Sequence, residues 1–559
     1  MPRGVREFTL DRSFATTGAR AIEGPGASAA WPYLAGALHP RFQVAADRPL
    51  AVRRVWLDTF DWRLYRAGLG LEYISRRGFA ELSLVTREGT RIVSTTRAMI
   101  WPGLSDTLPR GPLRERVAPV VGIRALLPIL SSAGTMWTQC VLDSEKKTVA
   151  RLTVDDGVVQ SGTGTGTGTG TDIGTTARTD TTMTATALPT RLTVTAVRGY
   201  DGQADRIGRL ISELPGISPA SRSALDTALA AVGRKPGSYT SKVGVQLAPA
   251  TPAGPALAGV LLRLLEMAEA NVEGVIRDID TEFLHDLRIA VRRTRSALKL
   301  AGDALPGDMA VRFTPEFRWL GQLTTPSRDL DVHLLGLQRT AAGLITAAPE
   351  DLQPLHASLV RYRVTERRSL IRGLRSARFA CLTRDWRGAL SGVVTAPDKA
   401  TRRWAEHARQ PVANLAAARI RRAHQRLVKT ASRVTPASPD DDLHTVRKRG
   451  KELRYLLEFF ATLHEPAIHR GAVRELKQLQ DCLGEIQDGH VQREAIRALA
   501  ARMVEDRAAP AATLLAMGEL AAQLDAAASV AREGFAKRFA QFTSARNTQR
   551  IALLTKVAA

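Results

Sequence analysis

The sequence has few cysteines and no long uninterrupted apolar run. Cys140, Cys381 and Cys482 lie far apart and lack the paired spacing of zinc ligands, so neither a disulfide framework nor a zinc module is predicted. The N-terminal residues "MPRGVREFTL" contain no apolar signal core, and the run "ALAGVLLRLL" is interrupted by Arg263. We therefore expect a cytoplasmic protein from a reducing compartment, with no membrane insertion.

Acidic residues are also in short supply. The chain has 79 Lys and Arg residues against 55 Asp and Glu residues, which is a net charge of +24. Such an excess predicts attraction to a polyanion, and the candidates are nucleic acid, an anionic membrane and a phosphate polymer. Net charge alone does not choose among them.

The 559 residues predict more than one domain, and the apolar pattern changes part-way along the chain. Residues 1–235 contain short alternating runs typical of antiparallel strands, with a Thr- and Gly-rich stretch at 161–184 that we interpret as a disordered insertion. Residues 236–254 have the composition of a linker. From 255 to 545 the period becomes helical, which predicts an α+β multidomain chain with an all-α second half.

A cationic stripe runs along the predicted helix "FLHDLRIAVRRTRSALKL", residues 283–300. Apolar residues recur at steps of three and four between Leu284 and Leu298, which predicts a buried seam. Cationic side chains follow the same steps one residue later, about 100° around the helix from that seam. These residues, which we call the first ladder, are His285, Arg288, Arg292, Arg295 and Lys299.

The segment "LHTVRKRGKELRYLLEFF" repeats this pattern 159 positions later. The same offset relates Asp329 to Asp488, and it holds without a gap for roughly fifty residues, which indicates two copies of one helical unit. We predict repeats at 255–395 and 398–545. The second ladder consists of His444, Arg447, Lys451 and Arg454, with Lys448 beside them.

Two histidines repeated among arginines allow three interpretations. Metal binding by His285 and His444 is disfavoured because cations crowd each ring and no cysteine or close acid shares its face, so we predict no metal and no cofactor. Histidines that only pack the bundle remain an alternative. The third interpretation is a phosphate polymer, because arginine forks, lysine ammonium groups and histidine rings at one-turn spacing match phosphates along a chain.

The residues around the ladders are assigned supporting roles. Asp329 and Asp488 are interpreted as partners that orient arginines, and no catalytic residue is assigned. Tyr455, Arg422 and Arg426 are expected to widen the basic surface.

The helical half resembles the CHAD domain, the conserved-histidine α-helical domain. The resemblance rests on "HDLRIAVRRTRSAL", "HTVRKRGKELRYLLEFF", "RDLDV" and "LGEIQD". It implies a pseudo-symmetric pair of four-helix bundles around a basic cleft that binds inorganic polyphosphate, often at polyphosphate granules.

The first half resembles a CYTH domain, the triphosphate-tunnel fold, through "VWLDTFDWRLYRAGLGLEYISRRGFAELSLV". This resemblance implies a closed antiparallel tunnel of about eight strands. The metal-binding Glu-x-Glu-x-Lys of that family falls on Thr9, Asp11 and Ser13, and its basic positions fall on Glu72, Ile74 and Val85. Without these metal and phosphate ligands, we expect the tunnel to be inactive. These positions are the departures from the family pattern.

Three functions follow from these observations. The first is a polyphosphate-binding protein without turnover. The alternatives are a metal-dependent tripolyphosphatase or related phosphohydrolase in the tunnel, and a nucleic-acid-binding protein, which the charge permits but the lack of interleaved aromatics disfavours. The sequence does not identify a protein partner for the N-terminal domain.

Overall fold

A computed structural model describes residues 5–10, 33–39, 41–46, 48–87, 89–96, 100–162, 183–396 and 404–556. The chain separates into two compact units, Met1–Thr240 and Ser241–Ala559. The predicted insertion at 161–184 lies outside the described residues except at its two ends, where a strand reaches Gly162 and another begins at Met183.

The first unit is built on one antiparallel sheet. The described strands are β1 (Val5–Leu10), β2 (Gln43–Ala46), β3 (Leu50–Thr59), β4 (Leu69–Arg76), β5 (Phe79–Thr86), β6 (Arg91–Thr95), β7 (Leu126–Leu142), β8 (Thr148–Gly162), β9 (Met183–Ala187), β10 (Arg191–Ala196) and β11 (Ile217–Pro219). Their order is β11-β1-β10-β8-β7-β3-β4-β5-β6, with β2 also paired to β7 and β9 to β8. The alternating runs of the sequence therefore form strands.

Short helices accompany the sheet. They are α1 (33–38), α2 (Arg63–Arg66), α3 (Pro112–Val121), α4 (Asp201–Ser212) and α5 (Ala224–Ala231). Phe8 of β1 and Leu192 of β10 pack with Ile207 and Ile211 of α4 in one apolar cluster. Because side chains alternate along a strand, Glu7 lies on the opposite face of the sheet from Phe8.

The expected closure of this sheet into a tunnel is not observed. Among the described residues, no ladder of hydrogen bonds joins the edge strands β11 and β6, so the strand path stays open. Each strand in this order pairs with its antiparallel neighbour. A sheet built in this way can end in two edge strands that do not pair with each other.

The second unit is helical in its described parts, apart from short connections. Its helices are α6 (Ala253–Arg277), α7 (Thr281–Ala301), α8 (Met309–Ala341), α9 (Gln353–Leu374), α10 (Ala377–Val394), α11 (Glu406–Arg409), α12 (Val412–Ala431), α13 (Asp440–Phe459), α14 (Pro466–Glu505), α15 (Ala511–Phe542) and α16 (Ala545–Leu554). Three-residue or four-residue 3-10 turns lie at Gly302–Ala304, Pro349–Leu352 and Ala461–Leu463.

Helix starts repeat with the offset found in the sequence. α6 begins at Ala253 and α12 at Val412, while α7 begins at Thr281 and α13 at Asp440, and both pairs differ by 159 positions. Asp280 caps α7 by accepting hydrogen bonds from the backbone N–H groups of Glu282 and Phe283. The helices that carry the two ladders therefore begin at equivalent positions of the sequence repeat.

One described helix, α15, has the length and apolar composition to cross a membrane. Helices of soluble proteins also pass this test, so the finding is weak evidence for a membrane span. In this chain α15 lies along α14, where Met517 and Leu520 join an apolar cluster that also contains Met503 of α14.

Candidate functional site

The two ladders lie on helices whose apolar seams are buried. Leu287 and Val291 of α7, and Val446 and Leu453 of α13, are all almost fully buried. Because each ladder follows its seam by one residue, burial of the seam places the cationic side chains at the edge of the core. This is the position that the sequence pattern predicts for them.

Ion pairs join α7 to α13 in a reciprocal way. Arg293 donates to Glu458 at 2.7 Å, and Lys299 donates to Glu452 at 2.7 Å. Position 452 is the repeat equivalent of 293, and position 458 is the equivalent of 299. Each ion pair therefore joins one of these two repeat positions in one copy to the other position in the other copy. Both basic residues belong to the first copy, and both acidic residues belong to the second.

Backbone contacts at the starts of α6 and α12 follow the same rule. The N–H of Ala253 donates to the carbonyl of Gln410 at 2.9 Å, and the N–H of Val412 donates to the carbonyl of Thr251 at 2.8 Å. Residues 410 and 412 are the equivalents of 251 and 253. Exchange of equivalent positions across a contact is the pattern of an isologous interface.

A cavity of about 550 Å³ lies where the ladders meet. It brings Arg292 of the first ladder together with three residues of the second ladder and with the supporting residues Tyr455 and Asp488. Helix α14 provides one wall. The complete lining is Ile289, Arg292, Arg293, Arg447, Lys451, Arg454, Tyr455, Glu458, Gln480, Asp481, Gly484, Glu485 and Asp488.

Carboxylates hold most of the cations in this cavity. The lining contains five Arg or Lys residues and four Asp or Glu residues. Glu458 accepts from both Arg293 and Arg454, and Asp488 accepts from Arg447 at 2.9 Å. Within the described residues, Arg292 and Lys451 form no ion pair, so their charges are available to a ligand.

The surroundings of Lys451 disfavour the charged form of its side chain. Burial lowers the pKa of its ammonium group to about 8, and the neighbouring guanidinium groups of Arg447 and Arg292 add to this effect, while Asp488 opposes it. An anion that enters the cavity would relieve the repulsion among these three cations. The electrostatics therefore favour an anionic ligand at this point.

The aromatic ring in the cavity is covered. Tyr455 is 6% exposed, and the guanidinium of Arg292 lies 5.9 Å from the centre of its ring. Burial raises the pKa of the Tyr455 hydroxyl, so that group remains a neutral donor.

Other residues of the first ladder lie outside this cavity. Arg288 donates to the hydroxyls of Thr324 and Thr325, and burial lowers its pKa, an effect that nearby Asp329 partly offsets. Lys299 is tied to Glu452, as described above. His285 is half-buried, and Arg295 and Asp329 are exposed.

In the second copy, His444 contacts the side-chain oxygen of Gln487 through Nδ1. Lys448, Arg422 and Arg426 are exposed and do not line the cavity. The cavity thus unites six of the fifteen predicted residues.

Sequence reasoning named Asp488 but missed two other carboxylates of the cavity wall, Asp481 and Glu485, and the amide of Gln480. Asp481, Glu485 and Asp488 recur at steps of four and three on α14, and this spacing marks one face of a helix. When the sequences of the two copies are aligned, the basic residues Arg293 and Lys299 correspond to the acidic residues Glu452 and Glu458. A search for charge reversals between equivalent positions would have found both ion pairs.

In the first unit, the sequence also missed Glu7. It lines a small cavity with Arg54, Glu72 and Arg191, and it is paired with Arg191. Thr9, one alternation further, is part of β1, whereas the predicted positions Asp11 and Ser13 lie outside the described residues. Arg54 pairs with Asp155 at 2.6 Å, and Trp56 donates to Glu72 at 2.9 Å.

Residues 259–497 match the family model of the CHAD domain. This part of the chain is a CHAD domain. The matched range lies within the predicted 255–545 and contains both ladders and all the cavity residues. The resemblance of the helical half is thereby confirmed, whereas the CYTH resemblance of the first unit stays a prediction.

Two solved structures are similar to the chain. The crystal structure of the CHAD domain from the plant Ricinus communis has 25% sequence identity and a TM-score of 0.43, and it covers 53% of this chain and 96% of its own. PptA from Streptomyces chartreusis has 18% identity and a TM-score of 0.39, covering 52% of this chain and 99% of its own. Comparison with curated proteins gives no match.

The two reciprocal ion pairs of the CHAD domain should differ in strength. Arg293→Ala should destabilise the helical unit by about 2 kcal/mol, because it leaves the largely buried Glu458 with one partner fewer. Lys299→Ala should cost less than about 1 kcal/mol, because Lys299 is 68% exposed and Glu452 keeps Arg449. Urea unfolding followed by helical circular dichroism measures both. Equal losses of unfolding free energy in the two variants would contradict the conclusion that the Arg293–Glu458 pair contributes more to stability than the Lys299–Glu452 pair.

Proposed function

We propose that this protein binds inorganic polyphosphate in the cavity between the two ladders and does not turn it over. The observation that carries the proposal is the meeting of Arg292 with Arg447, Lys451 and Arg454 around one cavity of about 550 Å³. Family membership of this part of the chain supports polyphosphate-related binding.

The charges suggest where the first phosphate binds. Arg292 and Lys451 have no carboxylate partner among the described residues, so phosphate oxygens would meet them without displacing one. Arg447 lines the same cavity and forms an ion pair with the exposed carboxylate of Asp488. Beyond the cavity, the polymer would pass over the exposed cations Arg295 and Lys448.

The state of Tyr455 supports a phosphate polymer over single-stranded nucleic acid. Base stacking needs an accessible ring, and Tyr455 is largely buried and lies beneath Arg292. The described lining of the cavity contains no other aromatic residue. Recognition here would rest on donors and charge.

The reciprocal contacts support a pseudo-twofold arrangement of the two copies. Both the ion pairs and the backbone hydrogen bonds exchange equivalent positions, as a twofold axis between α7 and α13 requires. Under this arrangement the ladders face one central cleft. The domain limits 1–235, 236–254 and 255–545 are part of the same proposal.

The first unit would be a CYTH-like scaffold without activity. Two of its carboxylates, Glu7 and Asp155, are already paired with Arg191 and Arg54, and this pairing opposes their use as metal ligands. Within the described residues, no group of three or more potential metal ligands occurs.

We place the protein in the cytoplasm, at polyphosphate granules.

Neutralising Arg447 and Lys451 should weaken binding more than neutralising Arg288, which is the equivalent of Arg447 in the first copy. The double variant Arg447→Gln with Lys451→Gln removes two cavity charges and should reduce polyphosphate affinity by about 30-fold or more. Arg288→Gln changes the equivalent of Arg447, which bonds threonine hydroxyls outside the cavity, and should change affinity less than about threefold. Calorimetric titration with long-chain polyphosphate measures both.

The salt dependence provides the control for this comparison. Each phosphate contact contributes about −0.7 to the log-log slope of affinity against salt, so four to seven contacts predict a slope of about −3 to −5. The double variant should be shallower by about 1.4. Unchanged affinity and slope in that variant, with unchanged circular dichroism, would place the polymer on another surface.

Affinity should decrease at alkaline pH because of Lys451. Its pKa in the free protein is about 8, and a bound polyanion raises that pKa, so binding takes up a proton above about pH 8. We expect affinity to fall up to about tenfold between about pH 8 and 10 and to depend little on this group below about pH 7. Binding titrations across this range in wild type and in Lys451→Arg test it, because arginine stays charged.

The first unit should show no phosphohydrolase activity. The whole chain should release no phosphate from tripolyphosphate or ATP in the presence of Mg²⁺ or Mn²⁺, because the interior carboxylates are held by arginines. A malachite-green assay measures the release. Metal-dependent release that is lost in Glu7→Gln would instead support the tripolyphosphatase alternative.

A further inference from the structure

Gln480 of α14 is buried without a hydrogen-bonding partner. Its side chain is 8% exposed and lines the cavity, and neither Nε2 nor Oε1 bonds to any residue that the structure describes. The amide packs against α13 at Gly450, where an added Cβ would lie 3.4 Å from Nε2. A buried amide with both atoms unpaired destabilises the fold that contains it.

The repeat shows that this amide is specific to the cavity side. The equivalent of Gln480 in the first copy is Gly321, where an added Cβ would lie 2.9 Å from a guanidinium nitrogen of Arg295. The first copy therefore fills this space with a charged group from its own ladder. The second copy places a neutral donor and acceptor there instead.

The residue one turn further along α14 is a glycine, which leaves space on the cavity side of this helix. Gly484 also lines the cavity, whereas the equivalent Thr325 holds Arg288 in the first copy. An added Cβ at Gly484 would lie 3.9 Å from Arg447, so the absent side chain leaves room between the helix backbone and that cation. A ligand that contacts Arg447 could approach α14 closely at this point.

We propose that Gln480 is a ligand-binding residue that donates an N–H from Nε2 to an oxygen of the phosphate held by Arg292 and Lys451. Lys451 lines the same cavity, and its ammonium group is a donor of the kind that Oε1 can accept from. This assignment rests on the proposed function of the cavity. It adds a neutral, directional contact to a site otherwise built from charges, and so fixes where along the chain one phosphate sits.

A neutral contact differs from a cation in two measurable ways. It releases no counterion, so its removal should lower affinity by the same factor at every salt concentration. Its removal should also relieve an unpaired buried amide, so the ligand-free protein should lose no stability. A glutamine with only a structural role would show the opposite stability change.

The test uses the full chain with Gln480→Met, which keeps the length of the side chain, beside Arg447→Gln with Lys451→Gln. Tripolyphosphate and long-chain polyphosphate are titrated at two salt concentrations, and thermal unfolding is measured without ligand. For Gln480→Met we expect an unfolding temperature equal to or a few degrees above that of wild type. We also expect an affinity about tenfold lower with an unchanged salt slope.

The outcomes separate this inference from the function on which it rests. If Gln480→Met binds like wild type while the cation variant binds weakly, the role of Gln480 is wrong and the cavity remains the binding site. If Gln480→Met unfolds or loses stability without ligand, its amide is structural and the inference is also wrong. If the cation variant binds like wild type, the proposed function fails and the assignment of Gln480 fails with it.

Discussion

Reciprocal contact between the repeated helices is the constraint on which the site depends. Arg293 and Lys299 of α7 reach Glu458 and Glu452 of α13, and each contact uses the same two positions with the copies exchanged. Because the first copy has the cations and the second has the carboxylates, the pairs are attractive in both directions. Two identical copies would have placed like charges opposite each other.

This reversal of charge also determines the character of the cavity. The acids that join the helices and those on α14 hold most of the cavity cations in place, so the site is preorganised but carries a small net charge. The remaining cationic character is concentrated at Arg292 and Lys451, and burial together with the nearby charges of Arg447 and Arg292 lowers the pKa of Lys451. The binding properties of such a site depend on the position of a few groups more than on the total charge of the chain.

The two copies have also diverged in how they treat equivalent arginines. Arg288 is held by threonine hydroxyls, whereas Arg447 lies beside Gly484 and pairs with exposed Asp488. A duplicated pattern has thus produced different surroundings for two equivalent arginines. In the first unit, by comparison, Arg54 and Asp155 form an ion pair beside a small cavity.

The sequence by itself determined the strand and helix composition, the repeat and the two ladders, because these depend on local periodicity and on an offset of 159 residues. It also led to the CHAD domain, which the family comparison confirms. It could not determine that Arg292 would join the cavity while Arg288 would not, since the two residues lie one turn apart on the same stripe. That difference comes from the crossing of α7 with α13 and from the approach of α14. The same tertiary packing buries Gln480 and lowers the pKa of Lys451, because both effects require neighbours that are distant in the chain.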